Sequence, residues 1–228
     1  MRTTQYQNRD EWLFARQGKM TGTKLKDCYS KRDPDKRKIG FYALIAERLG
    51  VPEETGESAM DRGNRIEEDA LDRFAKETGK KVDKSYIMWS RDDNPNIASS
   101  PDGVVIEEGT DIVTEAVEVK CLKSSRHIEA YVKKFIENCE NFDAVPDEYQ
   151  MQAVQYFIVN ENLKVLHFVF FDPRFLMFRD PETQKANAID YFEIVVTRDE
   201  VEKFIEEYLP FERKVMKQVD DIVNKITF

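Results

Sequence analysis

No run of roughly eighteen or more apolar residues occurs in this 228-residue chain, so no segment reads as a membrane-spanning helix. The first residues, Met1-Arg2-Thr3-Thr4-Gln5, lack the apolar stretch of a signal peptide. The expectation is a soluble, cytoplasmic protein with no membrane partner. Cysteine is scarce: Cys28, Cys121 and Cys139 are odd in number, widely spaced and include no CxxC pair. That excludes a disulfide framework and a four-thiolate iron–sulfur cluster. Nine glycines are scattered without forming a phosphate-cradling loop, which argues against a nucleotide-dependent enzyme on a small substrate. There is no internal repeat, low-complexity segment or linker, so residues 1–228 read as one domain. Basic residues are outnumbered 35 to 44, for a net charge of −9. A continuous basic coat for non-specific nucleic-acid binding is therefore excluded. From Lys19 to Lys38, however, eight basic residues face three acids, leaving room for a local positive face or simply a solvated segment.

The hydrophobic pattern alternates between periods of 3.6 and 2. Helices are predicted at Glu11–Gln17, Lys38–Leu49 (stopped by Gly50-Val51-Pro52), Gly63–Thr78 (capped by Gly79), Arg126–Asn138 and Asp147–Val159. A long helix follows over Asp199–Ile226, with a kink expected at Pro210. Strands are predicted at Lys81–Trp89, Gly103–Ile106, Val113–Cys121, Leu163–Phe171 and Tyr191–Val196. Strands interleaved with helices imply an α/β fold with a mixed central sheet flanked by helices.

Three segments carry candidate chemistry. Ser99-Ser100-Pro101-Asp102-Gly103 opens one strand, and Val117-Glu118-Val119-Lys120-Cys121 lies within the next. On a strand, Glu118 and Lys120 share one face while Val117, Val119 and Cys121 share the other. Two carboxylates and an ammonium at one edge of a sheet suit a hard cation beside a basic group, the requirement of metal-assisted phosphodiester hydrolysis. In the helix from Gly63, Glu67 shares a stripe with Leu71 and Phe74. Such a carboxylate either reaches water at the stripe's edge or needs a cation or donors inside. In the helix from Asp147, Gln152 lies on the stripe of Tyr149, Ala153, Tyr156 and Phe157, where its amide bonds either a neighbouring backbone group or a site. Convergence of all five polar residues would give three anionic ligands, Asp102, Glu118 and Glu67, for Mg²⁺ or Mn²⁺, with Lys120 able to orient or deprotonate a water. His127 and His167 belong to no motif and read as packing or surface residues.

These residues resemble, in order, the lambda-type (YqaJ-like) alkaline exonuclease family of the PD-(D/E)xK nuclease superfamily. The block Trp12-Leu13-Phe14-Ala15-Arg16-Gln17-Gly18-Lys19-Met20-Thr21-Gly22-Thr23 is similar to a W-x3-R-x-G-x2-T-[GA]-[ST] pattern. Gly63 to Glu67, Ser100 to Gly103, Glu118 to Cys121, Tyr149 to Gln152 and Phe171 to Arg174 follow. The resemblance implies a restriction-endonuclease-like core, with Asp102 and Glu118 as principal metal ligands, Glu67 completing the site and Lys120 as the catalytic lysine. It places Gln152 beside the scissile phosphate or attacking water. Arg16, with Thr23 nearby, would grip a 5′-terminal phosphate, and Ser100 would touch the substrate backbone. The family's Val-Gln after the glutamine is here Ala153-Val154-Gln155, which leaves a one-position shift open for Gln152. The implied activity is Mg²⁺-dependent 5′→3′ degradation of one strand of linear double-stranded DNA to 5′-mononucleotides, serving phage-type recombination in a host cytoplasm. The implied partners are DNA ends, a single-strand annealing protein and two further copies in a trimeric ring. The rivals are a restriction-type or structure-specific endonuclease and a catalytically silent DNA-binding protein on the same core.

Overall fold

The chain's most apolar segments become adjacent central strands in the computed structural model. The structure describes residues 1–30, 32–33, 37–50, 58–177 and 189–227, without the side chains of 58–65, 124, 176 and 177. Its elements are β1 (Arg2–Gln5), α1 (Arg9–Ala15), α2 (Gly22–Cys28), α3 (Ile39–Arg48), α4 (Ser58–Thr78), β2 (Val82–Asp83), β3 (Ile87–Ser90), β4 (Ala98–Ser99), β5 (Gly103–Val105), β6 (Glu115–Lys120), α5 (Ser124–Phe135), α6 (Asn141–Ala144), α7 (Asp147–Val159), β7 (Val165–Phe171), β8 (Tyr191–Thr197) and α8 (Arg198–Ile226).

A five-stranded sheet runs β2-β5-β6-β7-β8, and a three-stranded one runs β1-β3-β4. Strands β6 and β7 are parallel, from Glu115 opposite Val165 to Lys120 opposite Phe170, and helix α7 lies in the crossover between them. The other pairings within the larger sheet are antiparallel. This is the mixed α/β sheet expected. One face meets α4, where Leu71 and Phe74 pack with Val105, Val117, Val119 and Val169. The larger core lies on the other face, where Phe168 and Phe170 pack with residues of α2, α3, α7 and α8. From Gln152 to Val159 every residue of α7 is buried, as befits a helix enclosed on all sides rather than one resting on a surface.

Several boundaries differ from the sequence pattern. The single strand expected over Lys81–Trp89 is two strands in different sheets, because Lys84-Ser85-Tyr86 interrupts it. The expected basic loop contains α2, whose Leu25 and Cys28 are buried. Strand β1 lacks apolar alternation and exists through its pairing with β3. Pro210 lies inside the uninterrupted span of α8. The positive face expected over Lys19–Lys38 is partly consumed in structure: Lys24 pairs with Glu47, Lys38 Nζ donates to the carbonyls of Lys26 and Tyr29, and Lys19 Nζ donates to that of Pro95. Lys31, Asp35 and Lys36, like the Val51-Pro52 stop, fall outside the described residues. No described helix is long and apolar enough to cross a membrane.

Candidate active site

The pleat of β6 divides its side chains as the alternation requires. Val117 and Val119 enter the cluster under α4, while Glu118 and Lys120 turn toward α7. Glu118 is 4% exposed. Its Oε1 accepts from Lys120 Nζ at 2.6 Å and from Gln152 Nε2 at 2.6 Å, and its Oε2 accepts from the Tyr156 hydroxyl. Lys120 also donates to Gln152 Oε1 at 3.0 Å and lies 4.4 Å from the centroid of the Tyr149 ring. Glutamate, lysine and glutamine thus form a closed triangle. Gln155, three residues on, faces elsewhere: its Nε2 lies 3.4 Å from both the Met20 and Ala98 carbonyls. Gln152 is thus the glutamine of α7 that bonds Glu118.

Asp102 reaches the same place from the start of β5. Its backbone N–H donates to the Val117 carbonyl at 3.1 Å, and its Oδ2 accepts from the Val119 N–H at 2.7 Å. Gly103 follows for a steric reason: a Cβ there would lie 2.7 Å from Val82 Cγ1 and 3.0 Å from Leu71 Cδ2, so β2 and the Leu71 side chain of α4 pack closely over a bare glycine. Glu67 arrives on α4, from the opposite side of the sheet to α7. With Asp102 it lines a cleft of about 100 Å³, whose wall also includes Arg9, Trp12, Lys84 and Tyr86.

The electrostatics are those of an anionic cluster with too few cations. Burial, then Glu118 and Glu67, push the Asp102 carboxyl well above the ordinary aspartate range, against Lys120 and the Val119 N–H. Burial and Glu118 push Glu67 up to about 7, against Arg9, Lys120 and Arg16. Burial alone would lower the Lys120 ammonium, but Glu118 and Asp102 outweigh it and raise its pKa. Tyr156, raised far above the usual phenol range by burial and by Glu118, stays a donor.

Arg16 belongs to this neighbourhood. Its guanidinium carbon stacks 4.2 Å from the centroid of Trp12, whose own Nε1 donates to the Ile87 carbonyl at 3.2 Å. Burial lowers the arginine's pKa, while Tyr156, Glu118 and Asp102 raise it, and the group stays charged. Gly22 fixes the approach of α2 to the site: a Cβ there would sit 2.8 Å from Gln152 Cγ and 3.1 Å from its Cα. Thr23 is exposed in the first turn of α2. Ser100 is buried, with its hydroxyl unpartnered among the described residues and its carbonyl 3.0 Å from the Tyr156 hydroxyl. The two histidines lie apart from the cluster. His127 stacks on Phe175, and His167 lies between Glu115 and Glu193.

The donor set suits a hard divalent cation, since Asp102, Glu118 and Glu67 offer carboxylate oxygens without thiolate or imidazole. A bound cation would also relieve the repulsion that raises Asp102 and Glu67. Among the described residues, no three acidic, histidine or cysteine groups are gathered closely enough to ligate one ion as placed. Glu118 is instead saturated by Lys120, Gln152 and Tyr156. Tyr156 was absent from the sequence-based site, where it counted only as an apolar position. Its signal is the i+4 offset from Gln152, which puts both on the helix face toward Glu118.

The family model of the YqaJ-like viral recombinase domain matches residues 11–162. No curated protein sequence matches the chain. Among solved structures, the chain is similar to an alkaline exonuclease, LHK-Exo, of Laribacter hongkongensis, with a TM-score of 0.71, 23% identity and coverage of 96% of each chain. The same protein in complex with dAMP gives a TM-score of 0.69 at 24% identity, covering 96% of this chain and 98% of that one. A phage-related exonuclease of Haemophilus somnus 129PT gives 0.60 at 16% identity, covering 89% and 95%.

Proposed function

The chain belongs to the YqaJ-like viral recombinase domain family, and on that premise we propose that it is a Mg²⁺-dependent 5′→3′ exonuclease degrading one strand of linear double-stranded DNA to 5′-mononucleotides. The observation that carries this reading is Glu118 bonded by Lys120, Gln152 and Tyr156 beside Asp102 and Glu67, with Arg16 close enough to feel their charge. Asp102, Glu118 and Glu67 would hold Mg²⁺, or Mn²⁺ in its place, which when bound polarises the phosphate and activates water.

The protein's own groups do the rest. Lys120, kept cationic by Glu118 and Asp102, presents N–H donors to the attacking water and to the charge that builds on phosphate oxygens. Gln152 holds Lys120 and Glu118 in register, so the amide works by positioning. Arg16, its guanidinium plane braced on Trp12, offers a preorganised fork for a 5′-terminal phosphate. Thr23, beside Arg16 at the 5′-terminal phosphate, and Ser100, on the substrate backbone, are assigned on the family resemblance alone. With a net charge of −9, DNA is best held inside a homotrimeric ring whose channel alone needs to be positive. A single-strand annealing protein as partner and a cytoplasmic setting complete the reading.

The test is digestion of three substrates: 5′-phosphorylated linear, 5′-hydroxyl linear and closed circular duplex DNA. Preferential loss of the phosphorylated linear form, dependent on Mg²⁺, is expected. Comparable cutting of closed circles would replace this reading with an endonuclease.

A further inference from the structure

Glu212 is buried completely in α8, outside the cluster described above. Its Oε2 lies 3.2 Å from Gln155 Nε2. Among the described residues its Oε1 has no partner, and neither does Oε1 of Gln155. The amide cannot be turned round to correct this, because its nitrogen also faces the carbonyls of Met20 and Ala98 at 3.4 Å each. Two buried oxygens from two touching side chains are thus both acceptors without a donor among the described residues, an arrangement that desolvation makes costly. One hydrogen shared between them would satisfy both.

We infer that Glu212 carries a structural proton: in the folded protein it is a neutral carboxylic acid whose O–H donates to Gln155 Oε1 while Gln155 Nε2 donates back, closing an acid–amide pair. The amide's second N–H then lies between two backbone carbonyls, those of Met20 and Ala98 at 3.4 Å each, and holds the two segments together through one shared donor. Met20 leads into Thr21-Gly22 and the helix packed on Gln152, and Ala98, in β4, precedes by four residues Asp102, which stands just ahead of β5. Resting on the proposed nuclease reading, Glu212 is a positioning residue for that site.

The charged and titratable surroundings agree. Arg91, after β3, favours the ionised form, but its donors are committed to the Ile158 carbonyl, Asp93 and Glu161. Cys28 of α2 is a thiol that burial keeps protonated, and from α7 the neutral Gln155 faces the acid. Burial, opposed by Gln155 and Arg91, pushes Glu212 up to about 8.

The sign of the pH effect follows. In the unfolded chain Glu212 ionises in the ordinary glutamate range, while the folded protein keeps the proton until about 8. Stability contributed by the neutral acid is complete below the ordinary range, falls as pH rises through the interval, and levels off above about 8. Glu212→Gln supplies the same donor permanently, because its amide N–H replaces the acid O–H. This variant should melt at the wild-type temperature in mild acid and above it at about pH 8. The infrared difference between wild type and variant at neutral pH should contain the carbonyl stretch of one neutral carboxylic acid, lost as pH rises through about 8. On the nuclease, the activity ratio of variant to wild type should grow through the same interval. A carboxylate band in the infrared difference, parallel melting at every pH, or failure of Glu212→Gln to fold would each overturn the structural proton. A pH-independent activity ratio beside the neutral-acid band would overturn the positioning role. An inactive wild type that still shows the band would count against the nuclease reading alone.

Discussion

Gly22→Ala tests whether the N-terminal block serves the site by packing rather than by chemistry. The added methyl would meet Gln152 Cγ at 2.8 Å, Cα at 3.1 Å and Cβ at 3.3 Å. The side chain can rotate its Cγ away, but Cα and Cβ belong to the frame of α7, so the helices must separate by several tenths of an ångström. Overpacking of this kind costs about 1–3 kcal/mol, and replacing a helical glycine by alanine returns up to about 1 kcal/mol. The expected net destabilisation in urea is therefore about 0–3 kcal/mol. The effect on hydrolysis should be larger. Gln152 sits 2.6 Å from Glu118 and 3.0 Å from Lys120, bonds that tolerate little displacement, and misplacement by about an ångström costs on the order of 10- to 100-fold in rate. A second variant isolates the contact: Gln152→Ala removes the closest clash, so Gly22→Ala should destabilise that background less than it does wild type. Additive stabilities, or a Gly22→Ala protein with wild-type rate, would refute the argument.

Tyr156→Phe removes one of three donors to a buried carboxylate and should destabilise the fold by about 1.5–3 kcal/mol in urea, a change near zero sinking the assigned bond. Glu118→Ala and Lys120→Ala should each abolish Mg²⁺-dependent hydrolysis. The hydrogen bonds of Glu118 add an expectation that the sequence did not contain: Glu118→Ala strands Lys120, Gln152 and Tyr156 and should cost about 3–5 kcal/mol of stability, measurable by thermal melting against Lys120→Met. Arg16→Ala should reduce the preference for 5′-phosphorylated over 5′-hydroxyl ends more than it slows turnover on a loaded end, and an unchanged preference in competition digests would remove Arg16 from the phosphate. Mg²⁺ at about 100 times its dissociation constant should stabilise wild type by about 2.7 kcal/mol and Asp102→Asn far less. Equal melting shifts for both proteins would place the cation elsewhere.

What was legible in the sequence follows from how each residue does its work. Glu118 and Lys120 were readable as one face because strand alternation is a rigid period-2 rule, and the structure places both toward α7. Glu67 and Gln152 were readable because a polar residue on an apolar stripe breaks a pattern. Tyr156 was not, because a tyrosine on that stripe breaks nothing: its ring satisfies the hydrophobic pattern while its hydroxyl does the bonding. Strand β1 and helix α2 escaped for a different reason. Each is short and locally unremarkable, and long-range partners stabilise it, β3 in one case and α7 in the other. The run over Lys81–Trp89 was read as one strand because apolar content says nothing about which sheet a residue joins. Glu212 was hidden within the amphipathic pattern of α8, where one inward acid among many outward ones carries no weight.

The opposed placement of α4 and α7 explains why the motif blocks are so widely spread along the chain. A carboxylate on α4 cannot reach β6 through the sheet, because Val117 and Val119 fill that face. It can meet Asp102 and Glu118 only where β5 begins, past the point at which Gly103 lets α4 close on the strand. On the other face, Gln152 can bond Glu118 and Lys120 only if α7 is pressed toward β6, and Gly22 is what allows α2 to close behind it. The two glycines therefore set the distances that the charged residues exploit. Substituting either should degrade hydrolysis without removing a single reacting group, whereas the same substitution at Gly109, whose φ of 86° makes it cost stability but where an added Cβ would meet nothing within 4 Å, should leave the rate of the folded protein unchanged.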